Sequence, residues 1–132
     1  MLDADVVIGA LDASDPHHHR SRALFLRWRE QAAARLISVV NLTEVLVAPA
    51  RDKQRLRRAR EAIAALGIAV HQPGEAIAVD AARLRGSHAV SLADAYCLAT
   101  ARHAVASVAS FDEKVIRAAE AERIALAGTR SA

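Results

Sequence analysis

Ser91-Leu92-Ala93-Asp94-Ala95-Tyr96-Cys97-Leu98-Ala99-Thr100-Ala101 is the stretch whose reading settles the architecture. Its head carries a helix-start signal: a serine followed three residues later by a carboxylate, each able to satisfy the other's free backbone N–H in a capping box. Its body is apolar on nearly every side. A helix without a polar face must be covered all round, so the helix Ser91–Ala104 belongs at the centre of the domain.

The flanks say what covers it. Downstream, Ala106–Ala109 reads as a strand, Glu113–Arg123 as a helix and Ile124–Ala127 as a last short strand. Upstream, Met1–Ala4 is a short strand whose apolar continuation, Val6–Leu11, turns into a helix. Asp15-Pro16 is a helix start, an N-cap followed by proline at the first helical position, and the helix it opens runs to about Ala33. Leu36–Val40 is expected as a buried strand and Asn41–Ala48 as a helix stopped by Pro49. In Arg51–Leu66, Leu56, Ala59, Ile63 and Leu66 fall at helical spacing, and Gly67 ends that helix. Ile68–His71 is the next strand, and Glu75–Arg85 a helix closed by Gly86. Strands separated by helices pair in parallel through crossovers. The expected fold is therefore α/β, a three-layer α/β/α sandwich on a short, mostly parallel sheet.

At 132 residues the chain is expected to form one domain spanning 1–132, long enough to bury a core without staples. Apolar residues make up 53% but aromatic ones only 3%, so that core is aliphatic and rich in alanine. A lone cysteine, Cys97, excludes an intrachain disulfide and suits a reducing compartment. No signal-peptide pattern opens the chain, since Asp3 and Asp5 follow Met1-Leu2 at once, and no apolar run is long enough for a membrane. A soluble, cytoplasmic protein with no membrane partner is expected. The net charge is only +3, yet 16 of the 18 basic residues are arginine, and Arg51, Arg55, Arg57, Arg58 and Arg60 fall in one run. Arginine's planar fork suits phosphate. The run reads either as contacts to a polyanion or as a solvated helix face.

The candidate chemistry lies in a sparse set of carboxylates bedded in apolar sequence. Asp3 and Asp5 stand at the end of the first strand, Glu44 on a helix just after the second, Asp94 in the first turn of the central helix, and Asp112 after Ala106–Ala109. Ligands of open α/β sheets bind beyond the carboxyl ends of the strands, and these positions lie on that rim. Crowded carboxylates repel unless a cation joins them, and oxygen-only ligands suit a hard ion such as Mg²⁺ or Mn²⁺. Each acid also has an ordinary alternative. Asp94 and Asp112 serve as helix caps, Glu44 as a solvent-face residue, and Asp3 or Asp5 as strand terminators.

Taken in order, these segments resemble the PIN-domain family, in particular its VapC-type toxins. The resemblance runs from Leu2 to about Ala119, through Leu2-Asp3-Ala4-Asp5-Val6-Val7-Ile8, Asp15-Pro16-His17-His18 and Asn41-Leu42-Thr43-Glu44-Val45-Leu46. It continues through Ser91-Leu92-Ala93-Asp94-Ala95 with Leu98-Ala99-Thr100-Ala101, and Ser110-Phe111-Asp112, where serine replaces the family's threonine. It implies that Asp3, Glu44, Asp94 and Asp112 are catalytic metal-binding acids, Asp3 and Asp94 the most direct ligands, with Asp5 and Ser110 supporting. It further implies a Mg²⁺-dependent endoribonuclease that hydrolyses RNA with metal-activated water, inhibited by a cognate antitoxin and forming a homodimer. The arginine run would then contact RNA or antitoxin.

Two other readings use the same residues. Asp3-Ala4-Asp5-Val6-Val7 also satisfies the nucleophile motif of haloacid-dehalogenase-type phosphatases, with Asp3 attacking phosphate and Asp5 as general acid. That reading lacks a late acidic motif and leaves Glu44 and Asp94 idle. A non-catalytic nucleic-acid-binding module would rest on the arginine run alone. His17-His18-His19 reads as a solvated first helical turn, since adjacent side chains point apart. Cys97 reads as a small buried hydrophobe, and Trp28 as a core or interface residue.

Overall fold

The extended chain that opens the molecule is brief. In the computed structural model, which describes residues 1–128, Leu2 forms an isolated parallel bridge with Ala109. Its N–H donates to the Leu36 carbonyl at 2.7 Å, and the Asp3 N–H donates to the Ala109 carbonyl at 2.9 Å. The expected strand Met1–Ala4 ends at once because Asp3 caps helix α1 (Ala4–Leu11), its side chain accepting from the Ala4 N–H.

Strand β1 (Arg35–Ser38) lies on the other side of that segment and pairs in parallel with β2 (Ile68–His71), Arg35 opposite Ile68 and Ser38 opposite His71. Beyond Ala109, Val108 bridges Leu126 in parallel. The order across the sheet is thus β2, β1, Met1–Asp3, Val108–Ala109, Leu126, and parallel pairing predominates as expected. Of the expected strands Ala106–Ala109 and Ile124–Ala127, only these bridges with their flanking hydrogen bonds form.

Neighbouring residues of the middle segments divide between two apolar clusters. Met1 and Val108 pack with Ile77, Leu84, Leu98 and Val115, while Leu2 and Ala109 pack with Val7, Leu24, Ile37 and Ile63. Alternation between faces is the signature of pleated chain. It makes these short segments the middle layer of the expected sandwich, with α5 (Glu75–Ser87), α6 (Leu92–Ala104) and α7 (Glu113–Ala121) contributing to one cluster. α1, α2 (His18–Glu30), α3 (Val39–Leu46) and α4 (Lys53–Ala65) contribute to the other.

α6 has the expected central place: Ala95, Cys97, Leu98, Ala99, Thr100 and Ala101 are all buried. Ser91 and Asp94 form the reciprocal capping box. α1 packs so closely on α2 that a Cβ at Gly9 would collide with the Ser21 hydroxyl.

Several boundaries differ from expectation for local reasons. Asp15-Pro16 does not cap α2. The Asp15 carboxylate and carbonyl accept from the N–H groups of His17 and His18, making a separate turn before the helix. Ser38, the last residue of β1, also caps α3 by accepting from Val40 N–H, so the strand expected to reach Val40 stops there. Asp52 caps α4 and so detaches Arg51, which ends a 3₁₀ turn from Pro49. Gly86 lies inside α5 rather than closing it, whereas Gly67, at φ +71°, follows α4 in the left-handed conformation that glycine accepts without strain. No helix among the described residues is long and apolar enough to cross a membrane.

Candidate active site

The chain leaves Met1–Asp3 toward β1 on one side and returns by Val108–Ala109 on the other. The carboxyl ends of these two segments therefore diverge, and such a switch point opens a crevice. Asp3 stands at the end of the first and Ser110 at the end of the second. Asp3 is 4% exposed. One of its oxygens accepts from the Ala4 N–H at 2.8 Å and the other from the Ser110 hydroxyl at 2.6 Å. Ser110 Oγ in turn accepts from the Asp112 N–H at 3.1 Å. Asp5, in the first turn of α1, accepts from the Phe111 N–H at 3.0 Å. These two bonds bind the start of the chain to its last third.

Asp94 is half-buried at the head of α6, held by Ser91. Asp112 is exposed and caps α7 through the Lys114 N–H at 2.8 Å. The capping roles weighed from sequence are thus real, and they do not remove these acids from the site. Burial pushes the Asp3 carboxyl up to about 8, with the charges of Asp5 and Asp94 adding to the rise. Asp5 is pushed up to about 6, again chiefly by burial and further by Asp112, despite its bond from Phe111. Partial desolvation, then Asp94, raises Glu44. The like charges form a row, Glu44–Asp94–Asp3–Asp5–Asp112, each felt by the next.

The ion pairs of Arg102, His88 and His103 go to Asp80 and Glu122 rather than to these acids, and at Asp5 the charge of His17 offsets part of the rise. Asp5 Oδ1 and Asn41 Oδ1 are buried without a hydrogen-bond partner among the described residues. Carboxylates held together, with buried oxygen acceptors left over, fit a hard divalent cation. As they stand, no three His, Cys, Asp or Glu side chains of the described residues converge tightly enough to hold one. Holding one ion on Asp3, Glu44, Asp94 and Asp112 together would require these side chains to draw closer.

Sequence reasoning missed several neighbours. Asn41 is fully buried, and its amide donates to Glu44 at 3.4 Å and to the Ala93 carbonyl at 3.1 Å. It thereby ties the glutamate helix to the head of α6. The signal was present: a polar residue one turn before Glu44 in an otherwise apolar helix face. His17 was read as solvated, but its ring stacks on Phe111 at 4.3 Å, and the Arg20 guanidinium lies 4.7 Å over the same ring. His18 bonds the Gly9 carbonyl at 2.8 Å. No local pattern announces such contacts, because Phe111 is remote in sequence.

The arginine run divides. All five members are exposed, but only Arg55 and Arg58 line a groove of about 660 Å³ between α1, α3 and α4. Glu44 lines the same groove, with an apolar floor that includes Ile8, Leu11 and Val45. Arg51, Arg57 and Arg60 lie elsewhere on the surface. Cys97 is buried, and burial with the nearby Asp3 charge raises its thiol well above the ordinary range, so it is an inert packing residue. Trp28 packs edge-on to Phe25 in the core.

Comparison with curated proteins finds no match. Among solved structures, the chain is similar to one titled crystal structure of FitAcB from Neisseria gonorrhoeae. The TM-score is 0.67 at 20% identity, over 97% of this chain and 96% of that one. At that identity the likeness is one of fold. The model of the PIN domain matches residues 1–121, and with the switch-point crevice and its row of acids the conclusion is direct: this chain belongs to the PIN domain family.

Proposed function

We propose that this chain is a divalent-metal-dependent endoribonuclease and the toxin component of a type II toxin–antitoxin system. The observation that carries the reading is the row of five carboxylates at the switch point, with Asp3 buried, Asp5 Oδ1 buried without a hydrogen-bond partner among the described residues, and both carboxyls pushed up by burial. Asp3, Glu44, Asp94 and Asp112 would hold Mg²⁺, or Mn²⁺ in its place. When bound, such an ion supplies the positive field that lets water deprotonate near neutral pH and offsets the charge of the attacked phosphodiester. Ser110 fixes the Asp3 carboxylate, Asn41 restrains Glu44, and Asp5 holds the Ser110–Asp112 loop through the Phe111 N–H. RNA would be the substrate. The groove beside Glu44, with an apolar floor and with Asp12, Arg55 and Arg58 also lining it, suits a segment of a cognate antitoxin or RNA phosphates held by the two arginines. A homodimer working as one domain in the cytoplasm completes the proposal.

A phosphatase using Asp3 as nucleophile is less well supported. Asp3 is nearly inaccessible, and both of its oxygens already accept hydrogen bonds. A carboxylate keeps lone pairs for a small ion under those conditions, but in-line attack needs an open approach. The test is cleavage of a structured RNA with EDTA present, then with Mg²⁺ restored, alongside hydrolysis of p-nitrophenyl phosphate. Metal-restored internal cutting with negligible phosphatase activity is expected. Full RNA cleavage in chelator would sink the proposal.

A further inference from the structure

A second site lies at the other end of β1. Arg35 opens that strand, at the amino end of the sheet, away from the carboxyl ends that carry the acids. With Arg22 and Arg29 of α2 it lines a pocket of about 180 Å³, walled by Phe25, Leu26 and Leu66, and no acidic side chain of the described residues lines it. None of the three arginines pairs with a carboxylate among the described residues. The Arg35 Nε–H is buried and has no acceptor among the described residues. Such a donor costs stability unless something supplies a lone pair. Gly67, in the left-handed conformation at φ +71°, leaves room for the Arg35 side chain: a Cβ there would lie 3.1–3.3 Å from its guanidinium and press on it.

We infer that Arg22, Arg29 and Arg35 form a binding site for a phosphoryl group, separate from the acidic crevice. Three guanidinium groups without a counter-ion among the described residues favour a multiply charged oxyanion over a carboxylate, because a phosphoryl group carries more charge and offers three oxygens to the planar forks where a carboxylate offers two. The pocket falls below the ~300 Å³ at which sites for whole drug-sized ligands begin. It takes the phosphoryl group, and whatever bears that group lies outside. The bearer is either free, as inorganic phosphate or a mononucleotide, or an RNA backbone. The site does not depend on the nuclease reading, and neither fails with the other.

The experiment titrates inorganic phosphate, then adenosine 5′-monophosphate, into the full chain at constant ionic strength, with EDTA present so that no metal at the acids can hold them. Binding is read by NMR shifts and thermal stability. Wild-type protein should bind saturably. Arg22→Gln/Arg29→Gln changes two exposed residues, and it should weaken binding about tenfold or more. Arg55→Gln/Arg58→Gln should leave it unchanged. If the first double variant folds poorly, Arg35→Lys serves instead, keeping the charge but losing the fork, and it too should bind phosphate more weakly. A short RNA titrated into the same proteins identifies the bearer. A loss of RNA affinity parallel to that for phosphate assigns the backbone, and RNA affinity unchanged while phosphate binding is lost assigns a free ligand. No saturable phosphate binding, or binding unaltered in the arginine variants, overturns the inference.

Discussion

Asp80 and Glu122 have what Asp3 and Asp5 lack. On the side of the molecule built from α5, α6 and the end of α7, the Arg102 guanidinium lies 3.3 Å from Asp80 and 2.7 Å from Glu122. His88 Nε2 is 2.7 Å from Glu122, and His103 Nε2 is 3.5 Å from Asp80. The hydrogen bond with His88, then Arg102, holds the Glu122 carboxyl below its ordinary range. At the switch point, burial and neighbouring acids push the other carboxyls up. The same side-chain chemistry thus appears once closed by ion pairs, although Asp80 Oδ2 accepts no hydrogen bond among the described residues, and once open. A closed network of partly exposed pairs ties elements together at small net gain. An open one is unfavourable by itself, and such groups persist in a fold chiefly where a ligand completes them.

The largest effect that tests this contrast is on activity. Asp94→Asn keeps the capping geometry with Ser91 but removes the charge, and it should lower RNA cleavage by about a hundredfold or more, the scale of a single electrostatic stabiliser. Removing charge from the closed network, by Arg102→Gln, should leave cleavage within about twofold of wild type, since nothing there touches the proposed reaction. Equal losses in both variants would erase the distinction between the regions.

Metal addition should separate the regions next. A cation that binds only the folded chain stabilises it by about 2.7 kcal/mol at a hundred times its dissociation constant. Urea titrations with and without Mg²⁺ should show a gain of that order in wild type and in Glu122→Gln, and none in Asp3→Asn. A gain that survives Asp3→Asn would place the ion elsewhere.

Acidity should move the two regions in opposite directions. Asp3 binds its proton more tightly folded than unfolded, so in chelator its charge destabilises the chain increasingly as pH rises from about 4 toward its folded value near 8. Stability of wild type relative to Asp3→Asn should therefore fall across that window. Glu122 has the reverse sign. Its contribution is complete above the ordinary glutamate value and is lost as pH drops through its lowered one. Relative to Glu122→Gln, wild type should lose its advantage only on acidification. Parallel pH curves for the two pairs would contradict the electrostatics described for one of them.

The smallest effect is the worth of the closed network itself. Glu122→Gln at neutral pH should cost roughly 0.5 kcal/mol, as expected for partly exposed pairs screened by solvent. A loss of several kcal/mol, measured by urea unfolding, would mean that this network is a structural keystone and that the contrast with the acidic crevice is one of role alone.

Much of this was legible before any coordinates. The central helix, its capping box, the stripe of α4 and the acids each depend on residues within about one turn of each other, where backbone and side-chain preferences act locally. The family resemblance could be recognised from those pieces in order. Tertiary structure decided what the pieces meet. The Asp3–Ser110 bond joins residues 107 positions apart, and Phe111 reaches His17 and Arg20 only once α7's leading loop lies against α2. The same holds for the division of the arginine run and for the gathering of Arg22, Arg29 and Arg35 on one pocket. Asp15, Ser38 and Asp52 moved helix starts because each carboxylate or hydroxyl took the nearest free N–H. Propensity narrows that choice without settling it. Sequence spacing specifies which face of an element a side chain occupies. Whether an acid on that face meets an arginine or another acid depends on how the layers pack, and that packing fixed which carboxylates here were closed and which left open.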